Sequence, residues 1–464
     1  MQQQRLAAIL SLDVVGFSRM MQKDSPTLLA ALNSLYRKIV TPAVARHHGR
    51  IVKLLGDGAL IEFSSAIEAL ECAYAIQKRL READLPFSYP EPIRLRAGLH
   101  AGDVVVEGDD LFGDAVNIAA RIQAAAHPGG ILLSHIFRTL AGSHIKIPLK
   151  REGRHSFKGI EQPIELLSVD FTDPDVAEHR RRHAEMQEIK FCTTKDKVRL
   201  AWTTNGSGPP IVKAPNWISH LQLDWLGPGF APITTSISAK YGLVRFDARG
   251  NGLSDWDVAE ISFERFIDDM EAVFDAAGVD RAPIIAFSQG CSIAAAFAAR
   301  HPERVSAIVM IGGFALGRAR RGGARDLKLA EAFRAMMTAG WDDDYPSLRD
   351  LLSQTIIPGA SEEDRRRYAE HMREMITPEN LGRFRDVIDY LDVTELLPQV
   401  TAPCLVAHCR GDRMHPIREG QRLAAGLPNA RFIAYDGDNH LVPENDPVWP
   451  LLERDVQGFL KEYV

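Results

Sequence analysis

Two aspartates in the first part of the chain, Asp13 and Asp57, have the chemistry of metal ligands. Asp13 lies at the end of an apolar segment that predicts a buried strand, and Asp57 lies in the hairpin turn signal Gly56-Asp57-Gly58. Two carboxylates at adjacent strand ends could hold a pair of divalent cations, which activate a hydroxyl nucleophile and hold phosphates. Each aspartate alone would be an ordinary turn residue, so the pair is informative only with further residues.

Asn117 and Arg121 are the next candidates, because they lie four residues apart in the predicted helix 115–126. At this spacing both side chains project from one face of a helix. Their neighbours Val116 and Ala120 are apolar. We therefore expect a buried functional face here rather than a solvated surface stripe.

These segments together resemble the catalytic domain of class III adenylate and guanylate cyclases. The resemblance runs from about residue 5 to residue 169 and is carried by LDVVGF (12–17), KLLGD (53–57) and FGDAVNIAAR (112–121). It implies that Asp13 and Asp57, assisted by the backbone of Val14, bind two divalent cations per site, Mg²⁺ or Mn²⁺.

The resemblance also assigns roles to the nucleotide-binding residues. It implies that Asn117 orients the ribose, that Arg121 stabilises charge on the α-phosphate, and that Lys158 holds the terminal phosphates. Lys53 and Asp110 occupy the two positions that read the purine. A lysine donates to the N1 edge of adenine and an aspartate accepts from its amine, whereas guanine presents the opposite pattern, so this pair predicts ATP as substrate.

In this family the ribose 3′-hydroxyl attacks the α-phosphorus in line and pyrophosphate leaves. Each site is built across a dimer interface, with the metal-binding aspartates from one chain and the other residues from the second. Because this chain holds both sets once, we expect a symmetric homodimer with two sites. The hairpin 107–110 is shorter than in many relatives and lacks a basic residue, which predicts slow turnover.

A second group of residues has the chemistry of nucleophilic catalysis. Ser288 lies in AFSQG (286–290), between an apolar strand and a predicted helix, which is the pattern of a nucleophile elbow. Asp412 follows the next-to-last predicted strand and His440 the last, so the chain order is Ser, Asp, His. Asp436 and Asp438 are alternative acids near His440.

This second group resembles the α/β-hydrolases over roughly residues 187–464, together with the loop FDARGNGLS (246–254). The resemblance implies that His440 deprotonates Ser288 while Asp412 fixes the imidazole. The oxyanion donors would be the backbone N–H groups of Gln289 and Trp217, and Trp217 would line the pocket with His220.

The predicted elements that position these residues indicate two domains, one α+β and one α/β. Residues 1–170 predict a ferredoxin-like cyclase palm, and residues 171–187 a polar linker. Residues 188–464 alternate strand and helix, which predicts a mostly parallel sheet covered on both faces. The helix-rich segment 318–393 interrupts this alternation and predicts a cap.

Composition excludes several classes of protein. A chain of 464 residues is expected to form two or three domains, and a net charge of −6 without a basic tail argues against nucleic-acid binding. Five scattered cysteines predict reduced thiols in a cytoplasmic protein. The sequence lacks the roughly 20 consecutive apolar residues of a spanning helix, so no membrane association is expected.

Three functions fit these patterns. In the first, an adenylate cyclase is regulated by a hydrolase-like sensor of a small-molecule ligand. In the second, the cyclase is fused to a working hydrolase with an ester-like substrate. The alternative is a serine hydrolase whose cyclase-like domain mainly dimerises, which the complete set of cyclase residues argues against.

Overall fold

The computed structural model describes residues 3–81, 85, 87, 89, 93–108, 110–142, 145–160, 162–171, 174–341 and 346–464. Asp109 of the predicted short hairpin, residues 172–173 of the predicted linker and residues 342–345 of the predicted cap lie outside the described residues. The chain divides into two compact units: the first spans residues 1–171 with 361–363, and the second spans the remainder.

The first unit is an eight-stranded sheet with helices on both faces, in the order β2-β3-β1-β4-β6-β8-β7, with β5 paired to β4. Its strands are β1 (Gln3–Val14), β2 (Arg50–Leu55), β3 (Gly58–Phe63), β4 (Leu95–Glu107), β5 (Asp110–Phe112), β6 (Ile131–Ser134), β7 (Leu149–His155) and β8 (Ile164–Val169). Its helices are α1 (Phe17–Lys23), α2 (Ser25–Leu35), a π-helical turn (Tyr36–Val40), α3 (Thr41–Arg46), α4 (Ala66–Leu80), α5 (Asp114–Ala125) and α6 (His135–Ala141).

Strand β1 shows how this sheet separates its two faces. Leu10 and Leu12 belong to the large core that includes residues of α2, α4 and α6, whereas Ala7 and Ile9 pack with α5. Side chains alternate between faces along a strand, so Asp13 lies on the same face as Ile9. The candidate metal ligand therefore lies on the α5 side of the sheet.

Gly102 in the middle of segment 93–107 predicts two strands that are divided at the glycine, and this prediction is wrong. β4 is one continuous strand that pairs antiparallel with β1 along its whole length, and Gly102 lies opposite Ala7. Helix α5 packs closely against β4 at Gly102, because a Cβ there would lie 3.2 Å from the Cβ of Ala115 in α5. Strands β5, β7 and β8 were not predicted.

The second unit is an eight-stranded sheet in the order β9-β10-β12-β11-β13-β14-β15-β16, parallel except for the pairs that involve β10. Its strands are β9 (Lys190–Thr193), β10 (Arg199–Asn205), β11 (Pro210–Lys213), β12 (Gly242–Phe246), β13 (Ala282–Phe287), β14 (Val305–Ile311), β15 (Cys404–Cys409) and β16 (Ala430–Tyr435). The strand order reverses at β11, the position at which open parallel sheets form their ligand crevice.

Helices surround this second sheet or form its insertion. They are α7 (Pro174–Met186), α8 (Ala231–Ser238), α9 (Phe263–Ala276), α10 (Gln289–Arg300), α11 (Gly323–Ala339), α12 (Pro346–Ile356), α13 (Glu362–Met375), α14 (Pro378–Ile388), α15 (Ile417–Gly426) and α16 (Trp449–Tyr463). Helices α11 to α14 form the predicted insertion between β14 and β15. The predicted linker contains α7, whose Arg180 contacts Thr235 and Glu444 of the second unit.

The two fold classes predicted from the sequence are confirmed: an α+β unit and a mostly parallel α/β unit. Within the described ranges, none of the helices combines the length and the apolar character needed to cross a bilayer.

A substitution at Gly98 tests the close contact between β4 and α5. A Cβ at this position would overlap the backbone nitrogen of Gln123 and the carbonyl oxygen of Ala119, both in α5. We expect Gly98→Ala to lower the unfolding free energy of the first unit by about 1–3 kcal/mol, since backbone cannot move aside as a side-chain tip can. Denaturant unfolding of the full chain measures this.

The matched control is Gly458→Ala in α16, where a Cβ would meet no atom within 4 Å. We expect this change to leave stability unchanged or to raise it by up to about 1 kcal/mol. Equal stability of the Gly98→Ala and wild-type chains would contradict the close contact of β4 with α5.

Candidate active sites

Asp13 and Asp57 lie side by side at one end of the neighbouring strands β1 and β3. The pairing of Leu12 with Ala59 brings the end of β1 against the β2–β3 turn. Gly58 permits this approach, because a Cβ there would lie 2.5 Å from the carbonyl oxygen of Leu12. Burial, together with the charge and hydrogen bond of Asp57, raises the pKa of Asp13. The strand pairing therefore holds two like charges together.

Tyr36 supports the turn that carries Asp57. It begins the π-helical turn between α2 and α3, and its hydroxyl donates to the carbonyl oxygen of Asp57 at 3.0 Å. Burial and the charges of Asp57 and Asp13 raise the pKa of Tyr36, so it stays a neutral donor. The turn is thus fixed by the backbone of Asp57, which leaves its carboxylate available.

This acidic pair fits divalent cations of the Mg²⁺ type. Mg²⁺ commonly takes one or two protein carboxylates and completes its shell with substrate phosphates and water. Across the described part of the chain, there is no group of three or more His, Cys, Asp and Glu side chains that could hold a metal by itself. The two carboxylates therefore suit a divalent cation whose remaining ligands are substrate phosphates and water.

Lys53 and Asp110 are in direct contact within one chain. The Nζ of Lys53 donates to both carboxylate oxygens of Asp110, at 2.7 and 2.8 Å, and the backbone N–H of Leu111 donates to the same carboxylate at 2.8 Å. The two side chains are 34% and 35% exposed. These hydrogen bonds lower the pKa of Asp110. The two residues that the sequence predicts to read the purine therefore form one ionised pair that faces solvent.

The expectation that Asn117 and Arg121 lie on a buried face is wrong. Helix α5 buries Ala115, Ala119 and Ile122 against the sheet, and both polar side chains lie on its exposed side. Sequence spacing placed them correctly on one face but did not show which face meets the sheet. Lys158 is also exposed, in the loop between β7 and β8.

Ser288 is held in a strained backbone conformation between β13 and α10. Its φ of 51° and ψ of −123° are rare for a residue with a side chain and cost about 1–3 kcal/mol. Gly290 makes the turn possible, since a Cβ there would lie 2.9 Å from the carbonyl oxygen of Pro215. The backbone N–H of Ser288 donates to Ile311 of the neighbouring strand at 2.9 Å.

Asp412 and His440 form a buried pair beside this turn. Nδ1 of His440 lies 2.7 Å from Oδ2 of Asp412, while Oδ1 of Asp412 accepts from the backbone N–H groups of Met414 and His415. Burial opposes ionisation, but the neighbouring imidazole of His440 holds the pKa of Asp412 below its usual range. The alternative acids Asp436 and Asp438 are exposed.

A second histidine, His415, lies at this site without having been predicted from the sequence pattern. Ser288 Oγ lies 3.3 Å from Nε2 of His415, and Nδ1 of His415 lies 2.7 Å from Nη2 of Arg321. A guanidinium can only donate, so Nδ1 of His415 accepts and its Nε2 carries the proton that is donated to Ser288. Burial, followed by the charge of Arg321, lowers the pKa of His415 far below its usual value.

The only sequence signal for His415 is its position three residues after Asp412 and immediately before Pro416. His408 supports the same loop: its Nε2 lies 2.9 Å from the carbonyl oxygen of His415.

A small cavity opens onto Ser288. Its volume of about 20 Å³ is enough for one or two water molecules. Its lining combines the candidate catalytic residues with apolar side chains: Asn216, Trp217, Ile218, Phe230, Ser288, Ile356, Tyr368, Met414, His440 and Leu441. The predicted Trp217 is among them, whereas His220 accepts hydrogen bonds from the backbone of Gln222 and Leu223. Gln289 is buried as the first residue of α10.

Comparison with known proteins gives one result for each unit. Residues 1–167 match the family model of the adenylate and guanylate cyclase catalytic domain, and residues 216–447 match that of the α/β hydrolase fold. A Rhizobium meliloti (strain 1021) protein named "Putative adenylate cyclase 3" is 41% identical over 162 residues, which are 35% of this chain and 28% of that protein. The chain thus spans under a third of that relative.

Two solved structures are similar to parts of this chain. The adenylate/guanylate cyclase/hydrolase from Silicibacter pomeroyi is 36% identical and covers 36% of this chain and 98% of its own, with a TM-score of 0.34. The bromoperoxidase from Bacillus anthracis is 18% identical and covers 59% of this chain and 100% of its own, with a TM-score of 0.50, a likeness of fold alone.

The hydrogen bond between Asp412 and His440 can be tested with a serine-reactive fluorophosphonate probe. We expect the probe to label the wild-type chain at Ser288 and to leave Ser288→Ala unlabelled. Asp412→Asn should slow labelling by about 100-fold or more, because the imidazole loses the acceptor that fixes its tautomer. Mass spectrometry of the labelled peptide measures the rate.

The control is Asp438→Asn, which removes an exposed carboxylate from the same loop and should label at the wild-type rate. If this control slowed labelling as much as Asp412→Asn, the acid would be misassigned.

Proposed function

The chain carries a class III cyclase catalytic domain and belongs to the α/β-hydrolase fold family, and from this premise we propose that it is an adenylate cyclase, which converts ATP to 3′,5′-cyclic AMP and pyrophosphate at the interface of a homodimer. The second unit then serves as a sensor or as a second enzyme.

The ionised pair of Lys53 and Asp110 carries this proposal. One side chain only donates and the other only accepts, and they lie 2.7 Å apart on a solvent-facing surface. Adenine has an acceptor, N1, next to a donor, its exocyclic amine. N1 can therefore accept from Lys53 and the amine can donate to Asp110, in place of the bond between the two side chains. Guanine would set donor against donor and acceptor against acceptor, which leaves polar groups unpaired.

The acidic pair and the exposed residues of α5 would complete the site. Asp13 and Asp57, with the carbonyl of Val14, would hold two Mg²⁺ or Mn²⁺ ions, which when bound activate the ribose 3′-hydroxyl and neutralise phosphate charge. Asn117 would orient the ribose. The remaining cations, Arg121 and Lys158, would bind the α-phosphate and the terminal phosphates.

The surface around Lys53 supports the homodimer. Leu54, Leu55 and Phe112 flank the pair and are 58%, 56% and 48% exposed. Apolar side chains clustered on a surface favour a protein contact. Asn117 and Arg121 are exposed in the single chain, which agrees with a role opposite the acidic pair of a second chain.

A serine hydrolase activity of the second unit is the second candidate function, and the strained backbone of Ser288 beside the Asp412–His440 pair favours it. Nε2 of His440 would take the proton of Ser288 as its oxygen attacks an ester carbonyl, and would then return it to the leaving alcohol. The backbone N–H groups of Gln289 and Trp217 would stabilise the oxyanion.

Base selection is tested by exchanging the purine-reading pair. We expect Lys53→Glu with Asp110→Cys to shift the ratio of GTP to ATP cyclisation by at least about tenfold toward GTP, because the hydrogen-bonding polarity is reversed. Cyclic nucleotides formed by the full chain with Mn²⁺ or Mg²⁺ are quantified by chromatography.

Lys146→Glu, which reverses the charge of another exposed lysine of this unit, is the control and should retain the wild-type ratio. Retained preference for ATP in the double variant would refute the assigned pair. Absence of cyclic AMP from the wild type with both metals would refute the cyclase.

The shared site is tested by mixing two inactive variants, Asp57→Ala and Arg121→Ala. Each mixed dimer would have one site with both defects and one with neither, so an equal mixture after subunit exchange should regain about a quarter of wild-type activity. Each variant mixed with itself should regain nothing. A mixture that stays inactive although mass spectrometry shows mixed dimers would contradict a site built from two chains.

A further inference from the structure

Three arginines of the second unit converge behind the wall of the Ser288 cavity. Arg318 lies in a short turn (Arg318–Arg320) after β14, and its Nη2 lies 3.8 Å from Sδ of Met414. Arg385 of α14 stacks over the ring of Trp217 at 5.4 Å, and both Met414 and Trp217 line the cavity. Arg321 reaches the nucleophile through His415.

Three carboxylates act on this cluster, Asp389, Glu419 and Asp326, but their close ion pairs leave out Arg318. Asp389 pairs with Arg385, and both side chains are 3% exposed. Glu419 lies 3.9 Å from Arg321 but is bound more closely by Arg422, at 2.8 and 2.9 Å. Over the described residues, no carboxylate lies within 4.0 Å of a side-chain nitrogen of Arg318.

Among the described residues, Arg318 is therefore a cation that no carboxylate contacts directly, although Asp389 and Asp326 act on its charge from farther away. Its guanidinium stacks 4.1 Å from the ring of Phe333. Burial, reinforced by the charges of Arg385 and Arg321, lowers the pKa of Arg318 to about 10. A charge held in this way is costly, and an anionic ligand would offset the cost.

His415 supplies a directional donor at the same place. Because Arg321 occupies Nδ1, the Nε2–H group of His415 points at Ser288 Oγ, 3.3 Å away. A donor with a cation behind it favours an anion over a neutral acceptor. His415 is not needed as the catalytic base, because Nε2 of His440 carries no proton and can serve as that base.

We propose that the second unit acts on small esters whose acyl group carries a carboxylate, and that His415, Arg321 and Arg318 form the subsite for this carboxylate. The inference rests on the proposed hydrolase activity and names its substrate class. Since Nε2 of His415 lies so close to Oγ, the carboxylate must lie only a few bonds from the scissile carbonyl. A hemiester of a short dicarboxylic acid, such as monomethyl succinate, meets this requirement.

The reaction with such a hemiester is ordinary acyl transfer. A bond forms between Ser288 Oγ and the ester carbonyl carbon, the serine proton passes to His440, and the methanol leaves with that proton. Water then cleaves the acyl-enzyme and releases the dicarboxylate. Met414, which separates Arg318 from the cavity, has a flexible side chain that can move aside for the ligand.

The test compares monomethyl succinate with methyl butyrate, a neutral ester of nearly the same length, on the full chain. We expect kcat/KM to be at least about tenfold higher for the hemiester. Arg318→Gln should reduce this preference at least about fivefold, and Arg318→Lys should retain part of it. Arg320→Gln, an exposed arginine of the same turn, should keep the wild-type preference.

If the wild-type chain hydrolyses methyl butyrate with the same kcat/KM as the hemiester, the subsite proposal is refuted while the hydrolase proposal stands.

If neither ester is hydrolysed, the hydrolase proposal fails. The subsite proposal is then tested by ligand binding. Succinate should raise the melting temperature of the wild-type second unit more than butyramide does, and this difference should be lost in Arg318→Gln but kept in Arg320→Gln. Equal effects of succinate and butyramide would refute the subsite.

Discussion

The backbone of Ser288 is held at φ 51° and ψ −123°, and the second unit supplies the contacts that keep it there. The turn lies between a buried strand and a buried helix, so neither end can relax without loss of core contacts. Gly290 admits the carbonyl of Pro215, and Gly312 admits the ring of His440, to which a Cβ would lie 3.0 Å away. Strain at the nucleophile is thus balanced by packing across the switch point of the sheet.

The two histidines at this turn are assigned opposite roles by their partners. The carboxylate of Asp412 can only accept, so it places the proton of His440 on Nδ1 and leaves Nε2 free. The guanidinium of Arg321 can only donate, so it leaves the proton of His415 on Nε2. One imidazole therefore presents a base to the site and the other presents a donor. The proposed hydrolase would use the first imidazole for proton transfer, and the proposed carboxylate subsite would use the second.

The first unit also holds charged side chains in close contact. Strand pairing forces Asp13 against Asp57, and burial together with the charge of Asp57 raises the pKa of Asp13. Cations would relieve this repulsion, as a nucleotide base would replace the mutual bonds of Lys53 and Asp110. Neither pair contributes to a hydrophobic core. Their positions are set by β1, β2 and β5, whose apolar residues pack elsewhere on the same sheet.

The sequence by itself determined both fold classes and the identity of most candidate residues. Buried strands are visible in a sequence as apolar segments, and most of the candidate acids, the serine and His440 directly follow such segments. It could not decide which side of α5 meets the sheet, so Asn117 and Arg121 were misplaced on a buried face. It also missed His415, whose proton is assigned by Arg321, 94 residues away. Such a contact has no local pattern, and only the tertiary structure brings the donor, the imidazole and the nucleophile together.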